Sequence, residues 1–280
     1  MIQLAFSTHA FKKNTLEQAI DAIADIGYGG VEIMADVPHA YPPDIDPARL
    51  DRLKQQISRR GLTVSNINAF TLFALGDTYH PTWIDDDPAK RAQRIEHTLA
   101  CLDLAAAFNA RTMSLQPGGP MLGTTITRQL AGDRFADGLQ RILPKARELG
   151  IVLAIEPEPG LFIETAEEYI AFKREYFADE PLVRMNCDVG HLFCVGEDPA
   201  GVIRQYPQEI AHVHLEDIGA NRVHQHLTPG QGAIDFAAIF TALREIDYHG
   251  WVTVELYPYD TTAAGVAQRA WDQLQPINAG

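Results

Sequence analysis

The feature that most constrains this chain is an alternation. Eight short apolar runs, each followed by apolar residues at helical spacing, repeat from one end of the 280 residues to the other. Gln3–Ser7, Gly30–Met34, Leu62–Asn68, Thr112–Leu115, Ile151–Ile155, Val183–Cys187, Ile210–Leu215 and Trp251–Leu256 read as strands. The helices between them are marked by their starts. Asn14 and Glu17 stand as cap and capping-box partner ahead of Leu16, Ala19, Ile20 and Ile23. Asp46-Pro47, Asp87-Pro88 and Asp198-Pro199 each place an N-cap before proline at the first helical position. Asp133, Thr165 with Glu168, and Asp235 open three more. Ala263–Leu274 would be the closing helix. Eight such units predict a single α/β domain over residues 1–280, a (β/α)8 TIM barrel. An open doubly wound sheet is the alternative, but no G-x-G-x-x-G turn follows the first strand.

In a barrel of this kind the active site lies at the C-terminal ends of the strands. Reading those ends gives Glu156 after strand five, Asp188 after strand six, His214 in strand seven and Glu255 in strand eight. His212 and His214, two apart, share one face of the seventh strand, with Ala211, Val213 and Leu215 on the other. Three carboxylates and one imidazole converging on one mouth suit a moderately hard divalent ion, Mn2+, Mg2+ or Co2+, with Zn2+ also compatible. Taken singly, each carboxylate reads equally as a helix cap or a loop ion pair; the joint pattern points to a metal.

Charge and composition narrow the function further. Lys and Arg number 23 against 37 Asp and Glu, a net charge of -14, which disfavours DNA or RNA as a partner. No run approaches the roughly 20 apolar residues of a membrane span, and the N-terminus has no basic n-region, so a cytoplasmic protein is expected. Cys101, Cys187 and Cys194 are too few and too irregular for a disulfide framework and read as reduced thiols.

Five segments carry a resemblance. Ile155-Glu156-Pro157, Cys187-Asp188-Val189-Gly190-His191, His212 to Asp217, Pro229 to Phe236 and Gly250 to Glu255 resemble the xylose-isomerase-like TIM-barrel superfamily of sugar isomerases and epimerases, over nearly the whole chain. The D-x-G-H, H-x-H and P-G-x-G-x-I-D-F pieces are specific to the superfamily and not to one substrate. The resemblance implies one ion held by Glu156, Asp188, His214 and Glu255, with Glu156 and Glu255 also exchanging protons with a polyhydroxylated carbonyl substrate. Isomerase or epimerase chemistry through an enediolate is the expected activity. A dehydratase acting on a keto-cyclitol and a two-metal hydrolase are the alternatives, and relatives of this kind are often homo-oligomers.

Around that set, Glu158 lies two positions from Glu156 and competes with it as ligand. His191 and Arg222 resemble positions that contact substrate oxygens, and His9 after the first strand stands where it would reach a substrate hydroxyl. His224 and His226 share a face if their segment is extended, and with His191 they make a candidate second metal site. In the apurinic-site endonuclease branch the matching positions bind an additional metal. There an aspartate stands in place of His224, and this chain has Asn68 and Gln116 where a trinuclear site would need histidine. Glu32, inside the second strand, reads as barrel interior or as a residue supporting the ligands from behind rather than as catalytic. Tyr41-Pro42-Pro43 and the Thr71 to Trp83 segment read as loops that would cover the mouth.

Overall fold

Each apolar run is too short to be a helix of its own and is bounded by turn residues, so it pairs with its neighbours. A computed structural model of residues 1–280 shows the result. The strands are Gln3–Ser7 (β1), Gly30–Met34 (β2), Thr63–Asn68 (β3), Thr112–Leu115 (β4), Val152–Ile155 (β5), Val183–Asp188 (β6), Ile210–Leu215 (β7) and Trp251–Val254 (β8). They form a closed parallel barrel in chain order, with Ala5 of β1 paired to Gly30 on one side and to Thr253 on the other. Around it run Leu16–Ile26 (α1), Pro47–Arg59 (α2), Pro88–Ala107 (α3), Arg128–Leu149 (α4), Ala166–Tyr176 (α5), Val189–Cys194 (α6), Pro199–Gln205 (α7), Phe236–Glu245 (α8) and Ala263–Ala279 (α9). No helix is long and apolar enough to cross a membrane.

The core lies between the strands and the helix ring, where Phe6, Val31, Ile33, Ile67, Met113, Leu153 and Val213 are fully buried. Burying one such side chain stabilises the fold by roughly 1.5–3 kcal/mol. The inward faces of several strands are polar instead. Glu32, Asn66, Ser114, Asn186 and His212 are all buried, and Asn66 Nδ2 donates to both Glu32 Oε2 and Ser114 Oγ at 2.8 Å. Register shifts between Val31 and Glu32 and between Met185 and Asn186 interrupt the pairing next to these positions. Such bulges re-aim side chains. The upper barrel is therefore a hydrogen-bonded floor for whatever sits at the mouth.

Several boundaries differ from those expected. Thr15 and Gln18, not Asn14 and Glu17, make the capping box of α1, because the chain leaves its extended conformation at Thr15. Helix α4 starts a turn and a half earlier than Asp133, at a Thr127 cap, and Asp133 is an interior residue that accepts from Gln129 and Tyr176. The Thr165 hydroxyl accepts from Glu168 N, but the Glu168 carboxylate takes Glu164 N, so only half a capping box forms. Asp198 makes no capping hydrogen bond, and α9 runs on past Pro276 to Ala279.

Candidate functional site

Strands β5 to β8 bring Glu156, Asp188, His214 and Glu255 together, with one ligand atom of each lying within 4.8 Å of the others. His214 Nδ1 is the centre, at 3.3 Å from Glu156 Oε1, 3.7 Å from Glu255 Oε2 and 3.8 Å from Asp188 Oδ2. Its other nitrogen, Nε2, lies 2.6 Å from Glu32 Oε2. A proton kept on Nε2 by that carboxylate leaves Nδ1 with a lone pair aimed at the three acids, the arrangement that orients metal-binding histidines. Glu32 is thus a positioning group, fixed in turn by Asn66 and Asn68.

The donor set fits a divalent cation. All four residues are at most 5% exposed, and Asp188 Oδ2 is buried with no hydrogen-bond partner although it faces the other ligands. Three carboxylates in a dry site repel one another, and a cation among them removes that cost. The titration of the metal-free protein reflects the same crowding. Burial, with Glu32 and Asp188 nearby, pushes Glu255 up to about 7 against the pull of His214. Burial also raises Glu156. For Asp188 burial works upward too, but the neighbouring His191 and His214 outweigh it and hold the carboxyl low. Burial opposes charge on His214, and the carboxylates of Glu32, Glu156 and Glu255 overcome it and raise the imidazole well above its ordinary value. Without metal, a proton on His214 supplies the missing positive charge.

This sets a pH dependence with a definite sign. Above about pH 6.5 the histidines that burial lowers, His9, His39, His97, His212, His224 and His226, are neutral in both folded and unfolded chains and stop contributing. His214, raised when folded, loses its contribution as pH rises through its folded value. Glu158 and Glu216, whose folded values burial raises well above 4.5, keep protons that the unfolded chain has already lost, so stability falls as pH rises towards those folded values. Metal-free protein is therefore expected to melt at lower temperature at pH 9 than at pH 7, and divalent metal to flatten that slope. Melting curves at the two pH values, with chelator and with Mn2+, check it; an upward slope in chelator would contradict the assignment.

Glu158 is outside the cluster. Strand β5 has ended by Ile155, so period-two alternation no longer applies, and Glu158 accepts from Tyr79 Oη at 2.8 Å instead. His9 sits on a 3-10 turn after β1 and places Nδ1 3.2 Å from Glu255 Oε1, the oxygen that Asn68 Nδ2 also reaches at 3.0 Å. Burial lowers His9 to about 3, so it is neutral. His191, His224 and His226 meet through their Nε2 atoms, at 3.0 Å and 3.2 Å. His191 Nδ1 and His226 Nδ1 lie 3.1 Å and 2.9 Å from the backbone carbonyls of Pro157 and Glu255. Donation to those carbonyls leaves two Nε2 lone pairs facing His224, a trio able to hold an ion.

Arg222 is not at the mouth. A left-handed φ of 57° in the turn closed by its N–H on Gly219 O sends the guanidinium outward, over the Phe193 ring at 4.6 Å and onto Phe193 O. Two expected lid aromatics are likewise elsewhere: Trp83 is in the core against Phe135, and Tyr41 stacks on His97 of α3. Phe70, Thr71, Phe73 and Thr78 do line the cavity, and the Asp36 carboxylate holds their loop through Thr71 Oγ1 and the N–H groups of Phe73 and Ala74.

Sequence reading missed Lys12 and Tyr257, which line the cavity, and the structural parts of Asp217 and Glu216. Asp217 accepts from Gly230, Gly232 and Ile234 N–H groups, which explains the P-G-x-G-x-I-D-F run as one folded loop. Glu216 has neither oxygen hydrogen-bonded and packs so close to Gly190 that an added Cβ there would lie 1.5 Å from it. The D-x-G-H glycine is the signal that something large lies beneath. The empty space in and above the cavity, part of it open to solvent, is about 450 Å3.

Comparison with known proteins agrees with this fold. The family described as xylose isomerase-like TIM barrel matches residues 20–275. Inosose dehydratases of Clostridium beijerinckii and Lacticaseibacillus casei are 26% and 28% identical over 270 residues, covering 87% of this chain and 83% of each relative. Among solved structures, D-psicose 3-epimerase in the presence of D-fructose superposes with TM-score 0.80 at 18% identity, covering 100% of both chains. The IolI protein with a binding zinc atom gives 0.81 at 19%, covering 99% of this chain and 98% of its own. At that identity the structures share the fold; the family match spans most of the chain, which belongs to the xylose isomerase-like TIM-barrel family.

Proposed function

We propose that the protein is a divalent-metal-dependent isomerase or epimerase of a polyhydroxylated carbonyl compound, working through an enediolate. The observation that carries this reading is the pair Glu156 and Glu255. Both are buried, both line one cavity, and their carboxylates flank His214 Nδ1. Glu156, Asp188, His214 and Glu255 would hold one ion, Mn2+, Mg2+ or Co2+ by donor type with Zn2+ also suited, whose charge acidifies the C–H next to the substrate carbonyl. Glu255, its Oε1 fixed by His9 and Asn68, is then placed to take that proton with its carboxylate. Glu156, fixed through Oε2 by Asn186 Nδ2 at 2.8 Å, is placed to return a proton from the other side. Return to the same carbon inverts it, which is epimerisation; return to the neighbouring carbon is aldose–ketose isomerisation.

A second reading is supported by the sequence relatives, which are inosose dehydratases. Burial, with Glu156 beside it, raises Glu158 well above its ordinary value, so it carries a proton that could go to a departing β-hydroxyl. Removal of the α-proton by Glu255 with loss of that hydroxyl as water would be dehydration of a keto-cyclitol. The test is incubation in D2O of metal-loaded protein with ketohexoses, hydroxypyruvate and inososes, together with metal analysis. Deuterium next to the carbonyl without loss of water supports the isomerase or epimerase. Loss of one water from an inosose supports the dehydratase. Two ions per chain with neither result would favour a hydrolase that also uses His191, His224 and His226.

A further inference from the structure

We infer that the substrate carries an anionic group, a carboxylate or a phosphate, and that Lys12 binds it; this rests on the proton-transfer reading above. Apart from imidazoles, Lys12 is the only basic side chain lining the cavity, whose wall also holds Glu156, Glu158 and Glu255. It follows the 3-10 turn Thr8–Phe11, three residues after His9, whose ring touches Glu255. Residues three apart in such a turn share a face, so Lys12 lies on the same wall as His9.

The ammonium rests 4.6 Å from the centroid of Phe73, a ring of the covering loop. Burial lowers its pKa, and Asp260, Glu255 and Asp36 act against that only as a surrounding field, since Lys12 is in no ion pair. A half-buried cation with no carboxylate partner therefore lines a cavity whose other acids carry their own proton or would be neutralised by the ion. Its hydrogen bond to a substrate carboxylate or phosphate would be charged on both sides, and so stronger than one to a neutral hydroxyl.

The test compares three compounds with the carbonyl in a six-carbon chain: neutral D-fructose, D-fructose 6-phosphate and 5-keto-D-gluconate. Binding to Mn2+-loaded protein is measured by calorimetry, independently of turnover. At least one anion is expected to bind about 10-fold or more tightly than D-fructose, with a preference that shrinks as salt rises. Which anion wins separates phosphate from carboxylate. Lys12→Gln should abolish the preference and Lys12→Arg should keep it. Equal or absent binding of all three, or a preference that survives Lys12→Gln, overturns the inference. Equal affinities alongside deuterium exchange into D-fructose would remove the Lys12 assignment alone. A Lys12-dependent preference with no exchange into any carbonyl compound would remove the proton-transfer reading instead.

Discussion

Glu255→Gln is expected to lower the rate of deuterium incorporation by about a thousandfold, within the range that a positioned acid or base contributes. Glutamine has the same shape, and its carbonyl oxygen can still accept from His9 and Asn68, which now converge on Glu255 Oε1. What it lacks is a carboxylate to take the proton, and its amide nitrogen stands where Oε2 would meet the ion, so metal affinity should fall as well. The fold should survive, since a buried carboxyl already pushed up to about 7 resembles a neutral amide in its demands on its surroundings. The informative control is Glu156→Gln. In an epimerase using both glutamates, either variant halts inversion, while an enzyme shuttling one proton between adjacent carbons on a single glutamate would lose far more at one position than at the other. Melting temperature and bound metal, measured on the same samples, separate loss of the base from loss of the ion. Exchange within threefold of wild type in a folded, metal-loaded Glu255→Gln would sink the mechanism.

How legible the site was in the sequence depends on what held each residue in place. Glu156, Asp188, His214 and Glu255 lie on or one step beyond β5 to β8, and backbone pairing alone brings those strand ends to one place. Their convergence follows from counting strands. The helix starts were less readable, because several acceptors near each boundary offer equivalent caps; Thr15 rather than Asn14 is decided by where the backbone turns. The placement of Arg222 on Phe193 was not readable for a related reason: arginine gives no hint of the left-handed φ it takes in its turn. Lys12 was invisible because it follows no motif and comes to the cavity only through the turn that also carries His9. Glu32 was readable as a supporting residue, since a charged residue in the middle of an otherwise apolar strand, Gly-Val-Glu-Ile-Met, needs a buried partner. That partner, His214, is across the barrel and 182 positions away.

The second large effect is expected at Asp188, and it is larger in metal-loaded than in metal-free protein. The two carboxylate oxygens have separate tasks. Oδ1 accepts from His191 N–H at 2.8 Å and caps α6, while Oδ2 is the orphan facing His214 Nδ1. Asparagine can keep the capping oxygen and puts an amide N–H2 where Oδ2 was. A donor group pointing at a cation cannot ligate it, so affinity should fall by about 100-fold or more, at least the effect of removing a supporting residue around such a site. Metal-free Asp188→Asn should melt lower than metal-free wild type, because the carboxylate that His191 and His214 hold low, and whose charge therefore stabilises the fold at neutral pH, is gone although the cap remains. Metal then stabilises wild type by RT ln(1 + [L]/Kd), about 2.7 kcal/mol at a hundred times Kd, and the variant by only about 0.4 kcal/mol at the same concentration. Melting curves over a Mn2+ titration measure both quantities. Parallel curves for the two proteins would show that the ion, if bound, is not held by Asp188, and the cluster around His214 would then have to be read as a proton-sharing network rather than a metal centre.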